Sequence, residues 1–229
     1  MKPEIISLPS VLYATGATKI IIDIINNALK QKTAVHLALA GGNSPFPIYS
    51  ILADSNIDWE KIHIWVSDER YVAIDHPQSN FGQIMKYLTS KINLPSNHLH
   101  PLNTQLLLDQ CAKSYQDQII ARNNAIFDLI LLGMGDDGHT ASLFPGHHDE
   151  LASQKLVIPV TNSPKPPSQR ISFTPKLINQ SSQTILLSNN PVKSQMISDI
   201  LRLPGKQDDS PIGILIKNNN NLKIITCPH

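Results

Sequence analysis

The chain has 229 residues, long enough to bury a substantial core and short enough to form one domain. Hydrophobic residues make up 41% and charged residues 16%, which excludes a disordered chain. A formal net charge of +1 argues against a nucleic-acid binder, which would carry a basic excess on one face.

Ile20, Ile21, Ile24, Ile25 and Leu29 recur at helical spacing and predict a helix over residues 15–30. The run VHLALA (residues 35–40) is short, strongly apolar and followed by Gly41-Gly42, which predicts a buried strand entering a turn. Ser44-Pro45 fits an N-cap and a first helical position, opening a helix that ends near Leu52. KIHIWV (residues 61–66) is a second strand, and residues 79–92 and 106–122 are helical. FDLILL (residues 127–132) is a third strand, running into the glycine-rich residues 133–138. Residues 161–168, with three prolines, and residues 206–210 are irregular. Strands are expected at 156–160, 184–188 and 222–226, a helix at 192–201 and a turn at 218–221, while 211–216 is ambiguous by period. Strands alternating with helices predict a mostly parallel sheet covered on both faces, with residues 1–229 forming one domain.

Cys111 and Cys227 form no CxxC and fit neither a disulfide framework nor a metal spacing, which favours a reducing compartment. Residues 1–10 hold no signal-peptide core, and no segment approaches the ~20 apolar residues of a membrane helix. The expectation is a cytoplasmic protein with no membrane and no nucleic-acid partner.

Three segments carry candidate chemistry. The turn Gly41-Gly42-Asn43-Ser44 joins a strand to a helix start, where backbone N–H groups favour an anion. Taken alone, it serves equally as a plain connection that binds nothing. Ser67-Asp68-Glu69-Arg70 follows the second strand, and in open α/β sheets ligands gather beyond the carboxyl ends of strands. Arg70 can hold a phosphate or an oxyanion through its planar fork; a solvated loop with a local Asp–Arg pair is the alternative. The third segment, GMGDDGHTASLFPG (residues 133–146), offers His139, which exchanges protons near neutral pH, with Asp137 two residues away to orient it. His147-His148 lacks a third ligand at suitable spacing and fits a surface loop.

The chain has only four arginines. Arg122 and Arg202 end helices, where a cation suits the helix dipole without a ligand. Arg170, after the proline-rich stretch, and Lys193, in the first turn of a helix, are the better candidates for an anion; taken alone, Lys193 fits an ordinary exposed lysine better. Ser142 lies near His139 but lacks a GxSxG elbow, so a serine-hydrolase reading fails.

AGGNSP, WVSDERYV, DHPQSNFG and LLGMGDDGHTASLFPG occur in that order and together resemble the 6-phosphogluconolactonase family. The resemblance extends through PPSQRISFTPKLIN to the helix carrying Lys193. It implies a three-layer α/β/α fold with a Rossmann-like, mostly parallel sheet. It also implies hydrolysis of 6-phospho-D-glucono-1,5-lactone to 6-phosphogluconate in the oxidative pentose phosphate pathway. Glucosamine-6-phosphate deaminases share the fold but continue from the histidine into an IAFNEP-like segment and carry an MDEY-like acid segment. Here Thr140-Ala141-Ser142 and Ser67-Asp68-Glu69-Arg70 stand in those places, which favours the lactonase over the deaminase. A non-catalytic sugar-phosphate sensor is the other alternative, and His139 with Arg70 argues against it.

On this reading His139 activates a water, Asp137 orients His139, Arg70 stabilises the oxyanion, and Asp68 positions Arg70 or the water. Gly41, Gly42, Asn43 and Ser44 cradle the phosphate, with Arg170 and Lys193 supplying charge. No cofactor and no metal are expected. The expected partner is a phosphorylated sugar lactone, and the expected state is a monomer or small homo-oligomer.

Overall fold

The computed structural model describes residues 3–203, 205 and 210–227. The expected irregular residues 206–209 lie outside the described residues. Six strands form one parallel sheet: β1 (Glu4–Ser7), β2 (Val35–Leu39), β3 (Ile62–Val66), β5 (Leu129–Gly133), β8 (Thr184–Ser188) and β9 (Leu222–Thr226). Their order across the sheet is β1-β9-β8-β5-β2-β3. Every residue of β2 and β8 is buried, as expected where helices cover both faces of a parallel sheet.

The helices are α1 (Tyr13–Leu29), α2 (Phe46–Ala53), α3 (Asn80–Tyr87), α4 (Leu108–Asn123), α5 (His148–Leu151), α6 (Pro175–Asn179), α7 (Pro191–Arg202) and α8 (Pro211–Asn218). α1 packs on α2 and α2 on α3, while α6 packs on α8 and α8 on α7. The ambiguous residues 211–216 are helical because Ser210 caps them, its Oγ accepting from Gly213 N at 2.9 Å. Among the described residues no helix is long and apolar enough to cross a membrane.

A second, antiparallel sheet in the order β4-β7-β6 was not expected from the sequence. It comprises β4 (Asp68–Arg70), β6 (Val157–Val160) and β7 (Arg170–Phe173). β4 and β7 have three and four residues, too short for a period of two to stand out. Ser67 joins the two sheets: its N–H donates to Leu39 O, and its carbonyl accepts from Phe173 N, each at 2.9 Å. α4 packs on β6 and β7, and the Phe173 ring lies tilted against Phe127 (5.2 Å) and Tyr115 (6.3 Å) in a continuous core.

Strand order reverses at the β2–β5 pair. The chain leaves β2 toward β3 and leaves β5 toward β8, in opposite directions across the sheet. The crevice opened beyond the carboxyl ends of such a pair is where α/β sheets bind ligands. Both glycine-rich turns emerge there.

Candidate active site

A cleft of about 400 Å³ occupies this crevice. Gly41, Gly42, Asn43 and Ser44 line it from the end of β2, and Asp68, Arg70 and Asn80 from β4 and α3. Gly133, Gly135, Asp136 and His139 line it from the end of β5, and Asn189, Asn190, Lys193 and Arg170 complete it. Of the sequence-derived site residues, only Asp137 does not line the wall; it stands behind His139.

Gly41 is required by close approach. A Cβ there would lie 1.9 Å from Asn80 Oδ1. Asn80 is itself fixed by its Nδ2, which donates to Asp68 O at 2.8 Å. The expected cap at Ser44 does not form: α2 starts at Phe46, and no side chain caps it. Ser44 Oγ donates instead to Asn189 Oδ1 at 2.7 Å, a tertiary partner that the local pattern could not reveal. The turn is thus tied to the end of β8.

On β4, alternation sends Asp68 and Arg70 to the cleft and Glu69 to the opposite side. Glu69 is buried and accepts from Asn80 N (2.6 Å), Phe81 N and Arg70 N (2.8 Å each) and Ser79 Oγ (3.1 Å). Burial pushes its carboxyl up to about 7, against the opposing pull of the Phe81, Asn80 and Arg70 N–H groups. The sequence by itself assigned Glu69 and Asn80 no defined role in the site; together they place β4 against the start of α3. Arg70 Nη1 donates to Gln78 O at 2.8 Å, while its Nε is buried with no protein acceptor among the described residues. A buried guanidinium donor without a partner, in a cleft wall, is suited to a ligand oxygen. Asp68 accepts from Ser142 Oγ at 2.7 Å, so Ser142 is buried behind the carboxylate rather than lining the cleft.

The loop after β5 is closed by Gly135 N to His139 O (2.8 Å) and by Thr140 Oγ1 to Gly133 O (2.8 Å). It presses the imidazole against Gly135, where a Cβ would lie 2.0 Å from His139 Nδ1. Nδ1 lies 2.5 Å from Asp137 Oδ1, which leaves Nε2 to exchange a proton. Burial lowers the His139 pKa below its ordinary value near 6.5; the bond to Asp137 and its charge oppose this, and Lys165 adds to it. Burial pushes the Asp137 carboxyl up, but the bond and charge of His139 outweigh it and hold the group below its usual range.

The two candidate anion-binding cations differ. Lys193 reaches the cleft from the first turn of α7, bonded to Asp136 Oδ1 (3.0 Å) and Met134 O (2.7 Å). Arg170 is buried, and its guanidinium donates to Pro167 O (3.2 Å), Lys165 O (3.0 Å), Pro166 O (3.5 Å) and Ser142 Oγ (3.5 Å). Among the described contacts one Nη1 hydrogen remains for a ligand. Arg170 therefore acts on the cleft mainly through its charge and through the loop it anchors. Among the described residues no group of three or more His, Cys, Asp or Glu side chains is arranged to hold a metal ion.

Residues 10–224 match the family model described as glucosamine-6-phosphate isomerases/6-phosphogluconolactonase. The chain is 38% identical over 183 residues to a 6-phosphogluconolactonase of Synechocystis, covering 77% of this chain and 75% of that protein. It is 34% identical over 204 residues to the human GDH/6PGL endoplasmic bifunctional protein, covering 85% of this chain but only 26% of that one. The fold superposes on the crystal structure of 6-phosphogluconolactonase from Thermotoga maritima with a TM-score of 0.89, at 29% identity over the whole of both chains. With its glycine turns, its β4 charges and its His–Asp pair gathered at one switch point, the chain belongs to the 6-phosphogluconolactonase family, within the glucosamine-6-phosphate isomerase-like superfamily.

Proposed function

We propose that the chain hydrolyses 6-phospho-D-glucono-1,5-lactone to 6-phosphogluconate, as a step of the oxidative pentose phosphate pathway. Family membership supports lactonase activity in general. The observation that carries the finer reading is the His139–Asp137 pair in a cleft shared with Arg70, Lys193 and the Gly41–Ser44 turn.

The substrate phosphate sits on the N–H groups of Gly42, Asn43 and Ser44 with Lys193 as its counter-charge, and Arg170 adds positive field from beneath. That places the lactone ring toward His139. His139 Nε2 takes a proton from a water whose oxygen attacks C1, giving a tetrahedral oxyanion. Arg70, through its unpartnered Nε, stabilises that charge, and Asp68 holds the water or Arg70 in place. The bond between C1 and the ring oxygen then breaks, and the proton passes from His139 to that oxygen. The product acid ionises in water. A lactone is an activated ester, so this route needs neither a covalent nucleophile nor a metal.

The test is an assay coupled to oxidation of 6-phosphogluconate. Opening of the lactone well above its spontaneous rate, with no ammonia released from glucosamine 6-phosphate, is the expected result. Ammonia release with no acceleration of lactone opening would overturn the reading in favour of a deaminase.

A further inference from the structure

The proline-rich residues 161–168 take no part in the mechanism above, yet they deliver a charge to its centre. Lys165 Nζ lies 3.5 Å from Asp137 Oδ2, while His139 Nδ1 holds Oδ1 of the same carboxylate. Asp137 is thus shared between an imidazole and an ammonium. The loop carrying Lys165 is built in place rather than draped. Ser163 N donates to Ser168 O (3.0 Å), Ser163 Oγ donates to Lys165 O (2.8 Å), and Lys165 N donates to Ser163 Oγ (3.3 Å). From below, the buried Arg170 guanidinium holds the carbonyls of Lys165, Pro166 and Pro167. A buried arginine with most of its donors fixed on one loop costs desolvation, and that arrangement makes sense if the position of the loop matters.

We propose that Lys165 is a positioning residue of the reaction, whose ammonium shares the Asp137 carboxylate with His139 and so keeps His139 a free base. This rests on the proposed role of His139. A carboxylate bonded to an imidazole in a partly buried site favours the imidazolium. Without a balancing cation, Asp137 would hold a larger share of His139 protonated as pH falls, although burial still opposes that charge. Lys165 offsets that pull while leaving the orienting hydrogen bond intact. The other charges facing this pair are Asp68 on β4, Arg170 on β7, and the Lys193–Asp136 pair. Asp68 favours the imidazolium too, and Lys193 is already bonded to Asp136, so Lys165 is the cation in direct contact with the orienting carboxylate.

The experiment compares Lys165→Met, Lys165→Arg and the unmodified protein by two readouts. The first is kcat/KM on the phosphorylated lactone from pH 6 to pH 8. Lys165→Met should lose about two- to fivefold at pH 6, the range of a partly exposed ion pair, and recover toward the unmodified value at pH 8. Lys165→Arg should keep the original profile. The second is the titration of the His139 ring proton by NMR, assigned by its loss in His139→Ala. Its midpoint should rise in Lys165→Met and stay put in Lys165→Arg. A loss equal at all pH values, or an unmoved His139 midpoint, overturns the proposal. If the unmodified protein fails to open the lactone, the functional reading falls, while the NMR titration still decides the effect of Lys165 on His139.

Discussion

At the scale of single residues the proposed mechanism separates proton transfer from charge recognition. His139→Ala removes the only imidazole in the cleft wall among the described residues, so kcat should fall by about 10² or more while substrate still binds. Stopped assays that correct for spontaneous opening measure this, and a near-normal kcat would remove His139 from the mechanism. Because burial keeps the His139 pKa below its ordinary value, the base form should persist as pH falls, and the acid limb of kcat/KM should lie below about pH 6.5. Lys193→Ala tests recognition. Losing a charge-assisted bond costs about 1.5–3 kcal/mol, so KM for the phosphorylated lactone should rise at least about tenfold. The slow rate on plain gluconolactone should hardly change. An equal loss on both substrates would place Lys193 at the reacting centre or in folding. Arg170→Ala should behave differently: it releases the Lys165 loop as well as a charge, so both substrates should suffer.

At the scale of elements, the opposite ends of β2 and β3 carry a second set of histidines. His36 and His63 stack at 4.5 Å, His63 and His98 at 3.9 Å, and His100 stacks on Trp65 at 3.8 Å. The parallel register pairs His36 with His63 and puts both on one face of the sheet. His63 Nδ1 lies 2.9 Å from His100 Nε2, and Trp65 Nε1 donates to His36 Nδ1 at 3.1 Å. Burial lowers His36 and His63 to about 4 and His100 to about 3; Asp128 favours charged His36, whereas Lys32 and Arg122 oppose it. A base whose pKa is depressed by folding contributes stability that is present above its unfolded value and lost as pH falls. Between about pH 6.5 and pH 4 the protein should therefore lose about 1–3 kcal/mol for each of the buried His36 and His100. Denaturant unfolding at several pH values measures the slope. His100→Phe keeps the stack on Trp65 and removes one titrating ring, so it should flatten that slope; an unchanged slope would assign acid sensitivity elsewhere.

At the scale of the whole molecule, the small sheet joins the candidate site to the main core. β4 and β7 carry Asp68, Arg70 and Arg170, while the other side of β7 presents Phe173 to Phe127 and Tyr115. Phe173→Ala should cost about 3–5 kcal/mol through the cavity it leaves. Melting should fall by about 10 °C in a chain of this length. Loss of activity and loss of secondary structure should coincide on heating if residues 1–229 unfold as one unit. Activity lost well before the main transition would mean that the small sheet opens separately.

Much of this architecture was legible in the sequence. The apolar centres Ile185-Leu186-Leu187 and Ile224-Ile225 are what burial on both faces of a sheet demands, and the structure places β8 and β9 around them. The two glycine turns stood out because backbone close to a ligand or to a neighbouring side chain tolerates no Cβ, as Gly41 and Gly135 demonstrate. The His–Asp pair was legible for a local reason: two residues apart in one loop, they meet whatever the rest of the fold does. Contacts between distant segments left no such mark. Ser44 has the identity of a cap, yet its hydroxyl bonds Asn189, 145 positions away. β4 is a strand because it pairs with β7 across a hundred residues, and short segments have no period to advertise that pairing. Arg170 and Lys165 were an arginine after a proline-rich loop and a lysine within it. Tertiary structure alone decided that one is buried to hold the loop and that the other shares a carboxylate with His139, because burial and charge balance belong to the packed molecule and to no local stretch of chain.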